Sequence, residues 1–234
     1  MDYQLLPMNV PRHTLGTFDA AMTALRNDVL MMASLTERNF QNSTRGLIER
    51  DDDACTVAIA DDEEIDLLEV QVDRAGVDII MRYQPVANDL RHIVAAMKYS
   101  VNVERVADQS VSIARRARKL NVSPPLQQLH ELDGMFSFAA AMFKDAVRCY
   151  ADGDLDLART LKMRDRELDA MNGEIAERFV LHIQKAPEFV QGFLNLIFIA
   201  RALERIGDQC TNMAEDAIYA YSAEDIRHTL KKVE

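Results

Sequence analysis

Residues 103–108 read Val-Glu-Arg-Val-Ala-Asp, and residues 203–208 read Leu-Glu-Arg-Ile-Gly-Asp. Each copy sets a Glu and an Asp four apart, Glu104/Asp108 and Glu204/Asp208, inside apolar-periodic sequence. That spacing puts both carboxylates on one helix face, one turn apart, where they repel. An upstream pair repeats as well: Asp62-Glu-Glu-Ile-Asp66 matches Asp165-Arg-Glu-Leu-Asp169. The first match is offset by 100 residues and the second by 103. A small length difference near the intervening turns reconciles them, which predicts an internal duplication.

Outward from these motifs, helical periodicity covers the chain. A first helix is expected from about Thr14 to Arg50, with Leu15, Phe18, Met22, Leu25, Val29 and Met32 on its stripe. Asp51-Asp52-Asp53 supplies a turn and an N-cap. A second helix runs to Tyr83 and is broken by Gln84-Pro85; a third runs from Val86 to Leu120. Asn121-Val-Ser-Pro-Pro reads as a linker, with Ser123 and Pro124 opening a fourth helix that reaches Tyr150. Ala151-Asp-Gly-Asp154 is a turn, a fifth helix extends to Gln184, and a sixth follows Pro187 to Tyr221. The fold class is therefore all-α: two tandem, duplicated three-helix bundles over 1–120 and 124–222, then a short charged tail, 223–234. The bundles pack end to end or side by side.

Composition narrows the function classes. The net charge of −11 repels nucleic acid and anionic lipid. The one short basic run, Arg115-Arg116-Ala-Arg118-Lys119, reads as cations complementing a helix C-terminus. No apolar stretch reaches a membrane-spanning length, and the N-terminus lacks a secretory pattern, so a cytoplasmic protein with no direct membrane insertion is expected. Cys55, Cys149 and Cys210 lack paired spacing and are expected as reduced thiols, with Cys210 in the core.

Helical rise brings the acids together. Asp62/Asp66 and Glu104/Asp108 lie equally far from Pro85, and Asp165/Asp169 and Glu204/Asp208 nearly so from Pro187. At about 1.5 Å per residue, each bundle gains four level carboxylates roughly 30 Å from its turn. Glu104 and Asp108 fall on the heptad seam 90, 94, 97, 101, 104, 108, 111, and Asp62 and Asp66 flank that of the second helix. Thr36, Asn39 and Ser43, and Ala139, Ala140 and Ala141, offer small side chains opposite. Partly desolvated acids must be protonated, paired with basic side chains, or neutralised by cations. Oxygen ligands suit hard cations such as magnesium, calcium, manganese or iron.

At these residues the chain resembles the PhoU family of phosphate-uptake regulators, from about residue 14 to 221. The pieces that carry the resemblance are Gln84-Pro-Val-Ala-Asn-Asp-Leu-Arg91, the motif at 103–108, and 202–216, Ala-Leu-Glu-Arg-Ile-Gly-Asp-Gln-Cys-Thr-Asn-Met-Ala-Glu-Asp. The resemblance implies two three-helix bundles with metal sites at Glu/Asp-x-x-x-Asp motifs, which hold iron or zinc clusters in some members. Manganese and magnesium also suit the donors. It further implies a negative regulator of the phosphate regulon without catalysis, acting on the ATPase subunit of the phosphate ABC transporter and on a phosphate-sensing histidine kinase. Carried over, Glu104, Asp108, Glu204, Asp208, Asn212 and Glu215 or Asp216 match the metal-binding pattern. Ser112 and Arg115 replace Asn212 and Glu215 in the first copy, which predicts a weaker first site or an arginine standing in for a cation.

The turn residues Gln84, Asp89 and Arg91 are candidates for partner contact, since 184–187 does not repeat them; Pro85 and Asp89 also serve as turn-setting residues. A homodimer is allowed. A metal-free helical adaptor shares the fold. A di-iron oxidase would need Glu-x-x-His motifs level with the acids. Asp89-x-x-His92 and Asp225-x-x-His228 are the nearest matches and are not level.

Overall fold

The computed structural model describes residues 16–226. Thr14, Leu15 and His228 lie outside them. Six helices form two antiparallel hairpin bundles: α1 (Gly16–Ile48), α2 (Asp52–Tyr83) and α3 (Ala87–Asn121), then α4 (Asp133–Asp152), α5 (Leu155–Lys185) and α6 (Val190–Ser222). No strand occurs among the described residues.

The turns obey local chemistry. Asp51 caps α2, its carboxylate accepting from the Ala54 amide at 2.9 Å, and Asp154 caps α5 through the Leu157 amide at 3.0 Å. Gly46 lets the start of α2 approach the end of α1. A Cβ there would overlap Cys55 Sγ and lie 3.1 Å from the backbone Asp51 O and Cys55 N. Backbone cannot step aside as a side chain can. Gly46→Ala is therefore expected to cost about 1–3 kcal/mol, read as a lower urea midpoint at constant m-value.

One helix start differs from expectation. The fourth helix begins at Asp133, not at Ser123 or Pro124; a 3₁₀ turn, Gln127–Leu132, precedes it. Pro125 disfavours helical backbone at Pro124. Leu126 is also claimed by tertiary packing: a Cβ on Gly192 would sit 2.6 Å from its Cδ1. The sixth helix is likewise preceded by a short 3₁₀ turn, Pro187–Phe189.

The bundles lie side by side, with α3 and α6 crossing antiparallel at the centre. Asn102 Nδ2 donates to Asp216 Oδ2 at 2.9 Å, and Arg116 Nη1 donates to Asn195 Oδ1 at 3.3 Å. Tyr99, fully buried, stacks on Tyr150 at 4.3 Å and donates to the Ala146 carbonyl at 3.1 Å. One apolar cluster runs through both bundles, from Phe18 to Ile218.

This contact widens the buried face of α3. Val103, Val106, Ala107, Ser110, Val111, Ile113 and Ala114 are buried, α3 packing on α1 and α2 as well as on α6, while Asp108 is exposed. The expected two-position seam through Glu104 and Asp108 is therefore replaced by a broad apolar face, with the acids on its edge. Thr36, Asn39 and Ser43 point into the bundle instead. Asn39 Nδ2 donates to the Ala58 carbonyl at 2.5 Å. Of the three alanines on α4 only Ala139 is buried.

No helix among the described residues is long and apolar enough to cross a membrane. The three cysteines are free and buried. Burial pushes the Cys55 thiol up to about 11 and Cys149 up to about 12, and raises Cys210 as well, which suits packing rather than nucleophilic chemistry.

Candidate functional site

The hairpins bring the paired acids level. A Cβ on Gly76 of α2 would meet Met97 and Ile93 of α3, which places the two helices of the hairpin in register about Pro85. Gly207 of α6 packs on Leu168 of α5, and its Cβ would lie 3.3 Å from Asp165 Oδ1. The acids lie at the outer edge of each helix pair. Asp66, Asp108, Asp169 and Asp208 are exposed, and Asp62, Glu104, Asp165 and Glu204 are half-buried.

Their electrostatics bind each set together. Burial, then the charges of Asp108, Asp66 and Glu69, push Glu104 up to about 7, with Arg105 opposing. Burial and the neighbouring acids also raise Asp62, Asp66 and Glu69. In the second bundle burial, then Asp208, Asp169 and Glu204, push Asp165 up to about 7, with Lys162 opposing. Glu204 and Asp208 are raised in the same way, Arg201 and Arg205 opposing at Glu204 and Arg205 at Asp208. In each set burial and mutual repulsion thus disfavour full ionisation.

The copies differ in detail. Asp165 Oδ1 is buried and meets no hydrogen-bond donor among the described residues. A buried carboxylate oxygen without a donor is costly to leave ionised. In the first bundle Arg115 offsets charge at Asp62. Glu215, expected as a ligand, instead pairs with Lys162 at 3.3 Å. Asn212, also expected as a ligand, opens on the groove between α3 and α6 beside Lys98, Val101 and Asn102. No three acidic, histidine or cysteine side chains among the described residues converge on one coordination point. The donors fit a hard cation in chemistry, and holding one would require their exposed side chains to swing inward.

Sequence reading missed Glu69 and Lys162. Glu69 was visible as the next step of the stripe 62, 66, 69 on α2. Lys162 had no signal, because its role arises from its contact with Glu215, 53 residues away.

The turn candidates have local partners. Gln84 closes α2 in the left-handed region, φ 48°, its amide donating to the Ile80 carbonyl at 3.1 Å. Arg91 Nη2 donates to Asn88 Oδ1 at 3.0 Å, and Asp89 lies in the first turn of α3. His92 bonds the Asn88 carbonyl and packs edge-on against Tyr221 at 5.1 Å, away from both carboxylate sets.

The PhoU domain profile matches residues 29–117 and 132–217, so its starts are 103 residues apart and its ends 100, like the two motif offsets. The chain is 30% identical to the phosphate-specific transport system accessory protein PhoU of Serratia marcescens, over 94% of this chain and 91% of that one. It is 27% identical to the protein of the same name from Escherichia coli K12, over 94% and 92%. The crystal structure of PhoU from Pseudomonas aeruginosa superposes with a TM-score of 0.85 at 29% identity, covering 88% of this chain and all of that one. The phosphate transport system regulatory protein PhoU from Streptococcus pneumoniae shares the fold, with a TM-score of 0.80 at 20% identity over 89% of this chain.

Proposed function

The chain belongs to the PhoU family, and from that premise we propose that it is a non-catalytic regulator of phosphate uptake that carries cations on its carboxylate pairs. The reading extends to its partners. The protein acts on the ATPase subunit of a phosphate ABC transporter and on a phosphate-sensing histidine kinase. Relatives named as accessory proteins of phosphate-specific transport support the first of these.

The observation that carries the metal reading is the duplicated, level set of partly buried, mutually repelling acids, with Asp165 Oδ1 buried and unpaired. In the second bundle Asp165, Asp169, Glu204 and Asp208 would hold the cation; in the first, Asp62, Asp66, Glu104 and Asp108, with Glu69 beside them. A bound hard cation supplies positive charge that lets two helices with repelling acids pack without protonation. The protein's own part is to hold the acids level and to vary the opposing charge through Lys162 and Arg115.

The second site is expected to bind more tightly, because its orphaned oxygen is already desolvated while Arg115 competes at the first. Elemental analysis after dialysis against iron, zinc, manganese or magnesium should show metal lost from Glu204→Ala/Asp208→Ala and largely kept by Glu104→Ala/Asp108→Ala. Equal loss would end the asymmetry. Co-purification with the transporter ATPase and the kinase, with and without cation, tests the regulatory reading; binding to neither would overturn it. A metal-free adaptor is favoured by the lack of a converged coordination point. Elemental analysis that finds no metal in the intact protein would select it.

A further inference from the structure

The crossing of α3 and α6 leaves a groove on each side, related by the duplication. On one side Lys98, Val101 and Asn102 face Asn212, Glu215 and Asp216. Its acids are answered: Asp216 accepts from Asn102, and Glu215 pairs with Lys162. The other groove, of about 260 Å³, is lined by Gln109, Ser112, Arg116, Phe198, Arg201 and Arg205. Here three arginines converge in a chain of net charge −11, and none of them forms an ion pair among the described residues.

The arginine at the floor is held in place. The Arg116 guanidinium lies 4.1 Å over the Phe198 ring, and its Nη1 donates to Asn195 Oδ1. Its Nε is buried and meets no acceptor among the described residues. A buried donor without a partner costs stability unless a ligand or water satisfies it. Arg201 and Arg205 stand one helical turn apart at the rim, and Ser112 and Gln109 add neutral donors. Planar guanidinium forks suit tetrahedral oxyanions bound through paired N–H groups. The volume falls below the roughly 300–1,000 Å³ of sites for drug-sized ligands. We propose that this groove binds a small phosphoryl oxyanion, either the free ion or a phosphomonoester.

The twin groove lacks this property because Asp216 stands at the place of Arg116, and Val101 at that of Arg201. The two clefts occupy equivalent places in the duplicated fold, and their side chains make only one of them basic.

Calorimetry on the EDTA-treated full-length protein tests the site, with inorganic phosphate in one arm and glycerol phosphate in the other. One equivalent should bind. Arg201→Gln/Arg205→Gln, both exposed positions, should weaken it by about tenfold per arginine without loss of helical signal. Arg82→Gln, at the far end of α2, should bind as the intact protein does. Glu204→Gln/Asp208→Asn removes acids that oppose Arg201 and Arg205, so it should bind the anion at least as tightly although it would lose a cation, which separates this site from the metal reading. Tighter glycerol phosphate binding assigns an ester, and tighter inorganic phosphate binding the free ion. Absence of binding in both arms at about 10 mM, or unchanged affinity in the double arginine variant, overturns the proposal.

Discussion

In EDTA, the melting temperature of the protein should fall as pH rises from about 5 to about 8, and a divalent cation should restore it at the upper end. The sign follows from the carboxylates. Glu104 and Asp165 titrate near 7 in the folded protein, against ordinary values of 4.5 and 3.8. The folded protein therefore holds protons that the unfolded chain has already released. That contribution is whole below the ordinary values and is lost as pH climbs through about 7. Arg105 and Arg115 around the first set, and Lys162, Arg201 and Arg205 around the second, reduce the slope without reversing it.

A cation needs the acids ionised, so its effect should be large at pH 8 and small at pH 5. At a concentration about 100-fold above Kd, it adds about 2.7 kcal/mol. For a chain of this length that is a rise of about 5–10 °C. Asp165→Asn/Glu204→Gln should be less sensitive both to pH and to cation. A melting temperature flat across this pH range and indifferent to manganese, zinc and iron would refute the cation-balanced reading of the acids.

Tyr99→Ala should destabilise both bundles together. Tyr99 belongs to the first bundle, yet its ring stacks on Tyr150 and its hydroxyl is bonded to Ala146, both in α4. Large aromatic-to-alanine changes in a core cost about 3–5 kcal/mol, a large share of the roughly 5–15 kcal/mol that holds a domain folded. Because the apolar cluster is continuous, the loss should appear as one urea transition seen alike by probes on α2 and on α5. Tyr99→Phe keeps the ring and removes the hydroxyl that donates to the Ala146 carbonyl in addition to its helical bond, which should cost about 1 kcal/mol. Two separated transitions, with only the first bundle shifted, would show that the halves fold independently.

The acids were legible in the sequence to different depths. Their grouping by height followed from a fixed helical rise and two proline-marked turns, and the structure sets Asp62 and Asp66 beside Asp108 electrostatically. Their placement in a core seam did not survive, because the heptad count assumed that α3 had one neighbouring face to fill. Packing on α6 as well gave the buried face to Val103, Val106, Ala107 and Ser110 and left Asp108 at the edge. Glu215 and Asn212 looked alike in sequence as extensions of the second motif. Lys162 took one, and the interbundle groove took the other.

Counting along the chain was enough for the six helices, the Asp51 cap, the duplication and the level of each acid pair, since these follow from helical period, a fixed rise, local turn chemistry and comparison of the chain with itself. It fell short where the chain met itself at long range. The packing of Leu126 against Gly192 adds to Pro125 at the late start of α4, the pairing of Glu215 answers to Lys162, and the side-by-side crossing of α3 and α6 creates one charge-paired and one basic groove from the duplicated face. A helix's period tells which residues share a face; only the neighbouring helix decides whether that face is buried, paired or open.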